Sequence, residues 1–271
     1  MKVGILGYGF VGRAVALLSS CHEVSIYDPN IDEFGSADQK DSAYNADFII
    51  VCVPTPQSDS GELDISIVQD IAEQWAARKA LGILVIKSTI PVGTIDALCE
   101  KHNTYKIVHN PEFLSQRTAL ADFASTSEVI VGHRDTCSGL MAACHVHDMY
   151  KEYYAAVRHI SVTAKQAEMV KIARNSLYAT KIVFMNEVYD LCQELGVDYD
   201  DRFLAAFTSE GQHLWIGPQH SSVPGPDGLR WFGGKCLRKD SKGLLSVANN
   251  KGADMSVLRA AVEKNDFKRM D

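Results

Sequence analysis

Short, strongly apolar runs alternate with helix-like stretches through the first half of the chain, and this alternation restricts the fold more than any other feature. Residues 2–6, 24–27, 48–53, 83–87, 106–109 and 128–132 have the length and the aliphatic or β-branched content of strands. Residues 11–18, 65–79 and 93–101 carry apolar positions at helical spacing. Runs that are apolar throughout, rather than at every second position, are buried on both faces. The expected class is therefore α/β: a Rossmann-like, doubly wound parallel sheet with helices on both sides. The pattern changes after residue 163. Thr163 and Gln166 have capping-box spacing, and neither Pro nor Gly interrupts until Gly196, a suitable residue just past a helix end. This predicts one helix of about 32 residues, roughly 48 Å long, too long for a small domain to cover. Its expected role is to join domains or to pack against a second copy. Residues 198–215, 241–249 and 255–264 read as further helices, and 216–234 as an ordered loop rich in Gly and Pro. The expected domains are 1–160, nucleotide-binding, and 161–271, mainly helical.

Composition removes several functions. With 271 residues, 46% hydrophobic and 23% charged, the chain can bury a core. A net charge of -7 argues against general binding to nucleic acid or to an anionic membrane, since both need a basic surface. No run approaches the roughly 18 apolar residues of a membrane span, and glycines at 4, 7, 9 and 12 break the N-terminal apolar stretch, so it does not read as a signal peptide. Seven cysteines without a CxxC pair point to a reducing, cytoplasmic location. Cys137, Cys144, His145 and His147 match no standard ligand spacing, and no metal is expected.

Five local patterns carry chemistry. Gly7-Tyr8-Gly9-Phe10-Val11-Gly12 follows a strand and opens a helix, which brings a pyrophosphate against the helix N-terminus. Asp28, about twenty residues on, ends the second strand, where a carboxylate accepts from ribose hydroxyls and repels a 2′-phosphate, favouring NAD. Pro54 and Thr55, and Thr89 in Lys87-Ser88-Thr89-Ile90-Pro91, follow strands at their carboxyl ends, as does Glu112 in Asn110-Pro111-Glu112-Phe113-Leu114. Those ends form the ligand crevice of an open α/β sheet; simple turn chemistry is the alternative. Lys171 and Asn175 share a face of the long helix, in a structural or a catalytic role. Finally, Gly233 and Gly234 precede Cys236, where they allow close approach by a substrate, and Lys235, Arg238 and Lys239 favour a thiolate. The plainer reading of Cys236 is a small buried residue.

Taken in order, GYGFVG, VPTP, KSTIPVGT, NPEFL, K-x-x-x-N and GGKC-x-x-KD resemble the UDP-glucose/GDP-mannose dehydrogenase family from residue 1 to about residue 250. The resemblance implies oxidation of a nucleotide-sugar C6 alcohol to a carboxylate with two NAD, UDP-glucose being the foremost substrate. It makes Cys236 the nucleophile, with Lys171 and Asn175 stabilising the alkoxide or oxyanion. Asp240 would orient a water or the lysine, and Glu112 and Thr89 would serve water activation and proton transfer. Phe113 and Leu114 would line the sugar site. It also implies a homodimer through the long helix. Trp231, Leu237 and Arg238 depart from the family's usual Gly, Phe and Pro, so that Trp231 would reshape the loop. With about 35 residues after Cys236, the family's third, nucleotide-holding domain is expected to be absent. Two other readings compete. A β-hydroxyacid dehydrogenase would stop after one hydride and need no thiol, and an NAD-binding assembly or regulatory module would not turn over.

Overall fold

The computed structural model describes residues 1–58, 61–154, 156–207 and 218–269, apart from the side chains at 218, 219 and 235. The chain forms two compact units, Met1–Pro56 with Leu63–Lys171, and Gln57–Glu62 with Ile172–Asp271. Residue 160, where the domains were expected to divide, lies within the last strand of the first unit.

The first unit holds β1 (Lys2–Leu6), β2 (Glu23–Tyr27), β3 (Phe48–Val51), β4 (Ile83–Ile86), β5 (Ile107–His109), β6 (Glu128–His133) and β7 (Arg158–Thr163). They form one sheet in the order β2-β1-β3-β4-β5-β6-β7. All neighbours are parallel except β5 and β6, which meet antiparallel at His109 and Gly132. The helices are α1 (Phe10–Val15), α2 (Ala37–Tyr44), α3 (Ser66–Ala77), α4 (Thr94–Lys101), α5 (Ala119–Ala124) and α6 (Cys137–Tyr153).

Successive strand residues point to opposite faces, and two cores result. Ile50, Val85 and Val131 pack with Val15, Leu18, Val146 and Met149 on the face of α1 and α6. Ile49, Leu84 and Ile86 pack with Tyr44, Ile71, Trp75 and Leu98 on the face of α2, α3 and α4. Each such aliphatic side chain contributes about 1.5–3 kcal/mol by its removal from water. The sheet order reverses about β1, with β2 on one side and β3 on the other, so the connections diverge at the carboxyl ends of β1 and β3. Ligand crevices of open α/β sheets form at such a point.

Four elements of the first unit, α2, α5, α6 and β7, are not among those expected from the sequence. Helix α2 is announced only by a capping box between Ser36 and Gln39, and β7 is a half-exposed edge strand whose alternation is weak.

Helix α7 (Ala164–Leu195) has the expected 32 residues. At its start Thr163 N donates to Gln166 Oε1 at 2.9 Å and Gln166 N to Thr163 Oγ1 at 3.4 Å. At its end Gly196 has φ 67, and Val197 N donates to Cys192 O at 2.9 Å while Gly196 N donates to Gln193 O at 3.3 Å, the Schellman pattern. The second unit continues with α8 (Asp201–Phe207), α9 (Pro218–Ser221), α10 (Lys235–Lys251) and α11 (Ser256–Lys268). Of the helix expected over 198–215, α8 is described and 208–217 lie outside the described residues. The loop expected over 216–234 contains α9, and the helix expected from 241 already starts at Lys235, because Gly234, at φ 74, turns the chain directly into it. Among the described residues no helix is long and apolar enough to cross a membrane, and no cluster of three metal-ligating side chains is present.

Candidate active site

The glycine loop sits between β1 and α1 because larger residues do not fit. A Cβ on Gly12 would lie 2.0 Å from Gly7 O, whereas one on Gly9 would meet nothing within 4 Å. Gly12 thus serves close packing and Gly9 leaves open space. The first turn of α1 has no side-chain cap, so its N–H groups are available to an anion. Phe10 and Val11 pack against the core and hold the turn. Asp28, just after β2, accepts Tyr8 N at 2.8 Å and Asn30 N at 3.0 Å, one on each oxygen. The carboxylate is fixed against the glycine loop, and each oxygen retains a lone pair for a hydroxyl. After β3, Pro54 is exposed and Thr55 buried. Ser88 Oγ donates to Val53 O at 2.7 Å, tying this loop to the one that follows β4 and bears the buried Thr89.

The loop after β5 brings Glu112 to Lys171 of α7. Lys171 Nζ donates to Glu112 Oε1 at 2.9 Å and to Glu112 O at 2.7 Å, and lies 5.4 Å from the centre of the Phe113 ring. Glu112 Oε2 accepts Leu114 N at 2.7 Å. Lys171 is 3% exposed and the Glu112 side chain 9%. Burial is the largest single influence on Glu112 and would raise its pKa. The charge and hydrogen bond of Lys171, the Leu114 amide and the Lys87 charge together outweigh it and hold the carboxyl below the usual range. One turn before Lys171, the fully buried Glu168 accepts Gly93 N at 2.5 Å and Ile95 N at 2.8 Å. It therefore pins the first turn of α4 to α7. Sequence reasoning overlooked Glu168, and overlooked Lys87 and Asn110 as well, although all three lie in or beside quoted motifs; the available signal was a charged or amide residue directly flanking apolar core positions.

In the second unit Cys236 is the second residue of α10, half-buried and outside any disulfide. Asp240, one turn on and fully buried, accepts Asn175 Nδ2 at 2.5 Å. Lys239 Nζ lies 3.0 Å from the other Asp240 oxygen, so this cation, expected to bias the thiol, is engaged by Asp240. The side chain of Lys235 lies outside the described residues. The loop before Cys236 is held from both sides: Trp231 N donates to Asn186 Oδ1 at 3.1 Å and Phe232 N to Asn265 Oδ1 at 2.8 Å. Arg269 donates to Trp231 O at 2.9 Å and to Asp227 at 2.6 Å and is packed against Gly233. Trp231 is buried at φ 68, a conformation that glycine adopts without strain.

A model of the NAD binding domain of the UDP-glucose/GDP-mannose dehydrogenase family matches residues 29–155, and a model of the central domain of that family matches residues 165–267. The chain belongs to this family. The UDP-glucose 6-dehydrogenase YwqF of Bacillus subtilis is 27% identical to it over 98% of the chain and 66% of YwqF. A solved UDP-glucose dehydrogenase from the archaeon Pyrobaculum islandicum is 26% identical with a TM-score of 0.81, covering 98% of this chain and 68% of that one. A 3-hydroxyisobutyrate dehydrogenase from Mycobacterium tuberculosis, at 17% identity and TM-score 0.67, covers 98% of this chain and 93% of that one and shares the fold. The chain spans about half to two thirds of the length of the curated relatives it matches. Membership makes the first unit the family's NAD-binding domain, and the geometry fits that cofactor: open space at Gly9, uncapped N–H groups on α1, and a fixed Asp28 for the ribose.

Proposed function

We propose that the chain catalyses the NAD-dependent oxidation of a nucleotide-sugar C6 alcohol to the carboxylate, with UDP-glucose as substrate. The names of the relatives support the substrate. The Glu112–Lys171 ion pair carries the catalytic reading, since a buried, paired lysine and carboxylate at the carboxyl edge of a sheet seldom serve stability alone. NAD, when bound through Gly7, Gly9, Phe10, Val11, Gly12, Asp28, Pro54, Thr55 and Thr89, accepts one hydride in each of two oxidations. Lys171 and Asn175 stabilise the negative oxygen that forms at C6. Cys236, at a helix N-terminus that favours the thiolate, adds to the aldehyde to give a thiohemiacetal. Loss of the second hydride makes a thioester, which water cleaves to release the carboxylate and restore the thiol. Glu112 and Thr89 move protons and activate that water, and Asp240 orients Asn175. Phe113, Leu114, Gly233 and Gly234 bound the sugar. In this reading the first unit binds NAD, and the second forms the central and dimerisation domain of a cytoplasmic homodimer.

The test is NADH formed per sugar consumed, with UDP-glucose and a panel of UDP- and GDP-sugars and β-hydroxyacids. Two NADH per nucleotide sugar is the expected result; one per hydroxyacid would replace this reading with single-hydride chemistry, and no turnover on the panel with a non-catalytic module. Cys236→Ser is expected to lose at least about a thousandfold in carboxylate formation with NAD binding intact, and unchanged turnover would remove the thiol from the mechanism.

A further inference from the structure

Lys87 directly follows β4, is 5% exposed, and takes no part in the chemistry proposed above. Its Nζ donates to Asn110 Oδ1 at 2.8 Å and to Asn110 O at 3.3 Å and lies 5.8 Å from the centre of the Tyr150 ring. Among the described residues it forms no ion pair. A buried ammonium with only amide oxygens and a ring for partners is unfavourable where a methionine would fill the space. Burial pushes the Lys87 pKa down to about 8, against the opposing influence of Cys52 and Glu112. Such a residue calls for a function.

Asn110 indicates what that function is. Its Oδ1 also accepts Tyr150 OH at 2.8 Å, and its Nδ2 donates to Ile130 O at 2.7 Å. It is thereby fixed from β4, α6 and β6 at once. Two residues further on, Glu112 meets Lys171. The other titratable groups around the ammonium are uncharged at neutral pH: burial raises the Cys52 thiol to about 12 and Tyr150 well above its usual value, and lowers His109 to about 3. The charges left are those of Lys87, Lys171 and Glu112, two cations acting on one carboxylate.

We propose that Lys87 is a positioning residue for Glu112, its ammonium fixing the start of the 110–114 loop through Asn110 and acting, after Lys171, as a second cation that keeps the Glu112 carboxylate ionised. The kinetic consequence rests on the proposed function; the effect on Glu112 does not. In protein carrying 13C-glutamate, with the Glu112 resonance assigned by its loss in Glu112→Gln, Glu112 is expected to titrate at higher pH in Lys87→Met than in wild type, and to return toward wild type in Lys87→Arg. In turnover, Lys87→Met is expected to lower kcat roughly ten- to a hundredfold with KM within about twofold, the acid limb of the pH profile moving upward. Identical Glu112 titration in wild type and Lys87→Met overturns the inference whether or not the protein turns over. A wild type inactive on every nucleotide sugar overturns the proposed function and leaves this test standing. If Lys87→Met does not fold, the reciprocal measurement decides: Lys87, followed in 15N-lysine protein, is expected to titrate lower in Glu112→Gln than in wild type, and an unmoved Lys87 overturns the coupling.

Discussion

Glu168 shows how one buried side chain links local structure to pH. It takes two backbone N–H groups at the start of α4 that no residue of α4 itself caps, and a carboxylate there is favoured by the helix dipole. Burial nonetheless dominates and raises its pKa to about 7, the two amide hydrogen bonds opposing it. From the ordinary value of 4.5 up to 7 the native state therefore holds this proton more tightly than the unfolded chain. The associated stability is fully present below pH 4.5 and is lost as pH rises through 7, an effect on the order of 3 kcal/mol. His109 has the opposite sign, because its folded pKa near 3 is depressed by burial and by Lys171. The wild-type profile mixes the two, and the informative quantity is the difference between wild type and Glu168→Gln. Urea unfolding at several pH values between 4.5 and 8 is expected to show that this difference changes across the window, because the glutamine does not titrate. The variant also leaves one amide of α4 unsatisfied, at a cost of about 1–3 kcal/mol. A difference that is flat with pH would show that Glu168 titrates normally.

At the scale of elements, α7 is the clearest case of a structure written in its sequence, and its ends can be tested separately. Thr163→Ala removes the reciprocal cap and is expected to cost about 1 kcal/mol. Gly196→Ala forces a Cβ into φ 67 and is expected to cost about 1–2 kcal/mol. Hydrogen exchange should accelerate at the altered end of the helix and stay unchanged near its middle; uniform acceleration would mean that the caps support global stability only. Both ends were legible because capping depends on two or three neighbouring residues. The central strands were legible because residues such as Ile49, Ile50 and Val51 are buried on both sheet faces and leave a continuous apolar run. Strand β7 was not, since none of its residues is buried and their exposure follows no two-residue period, and α2 was not, since Ala37–Tyr44 presents only Ala43 and Tyr44 to the core. Within the site, the glycine loop, Asp28, Glu112 and Lys171 stand in local patterns. The Lys87–Asn110 and Glu168–Gly93 contacts join residues far apart in sequence, and nothing local announces such pairs.

For the whole molecule, the proposed homodimer is tested on the exposed side of α7. Leu177, Phe184 and Leu191 recur every seventh residue, followed one turn later by Leu195, and they are 52%, 56%, 58% and 68% exposed. Inward-facing positions of the same helix, Ala179, Val183 and Met185, are buried, so the exposed residues form a second apolar stripe. A seven-residue repeat is the spacing that keeps one helix face against another. In a twofold dimer each of these side chains counts twice, once from each copy. Removing Phe184 from the interface then forfeits roughly 3–6 kcal/mol, on the basis of about 1.5–3 kcal/mol per buried aromatic or aliphatic side chain. Phe184→Glu is accordingly expected to weaken self-association by on the order of a hundredfold or more, and Phe184→Glu with Leu191→Glu to give a monomer at micromolar concentration in sedimentation equilibrium. Glutamate suits helix propensity at exposed positions, so both variants should keep the helical circular-dichroism signal, which separates lost association from lost folding. A wild-type protein that sediments as a monomer at micromolar concentration would leave the stripe without its proposed partner. A double variant that remains dimeric would place the interface on another surface.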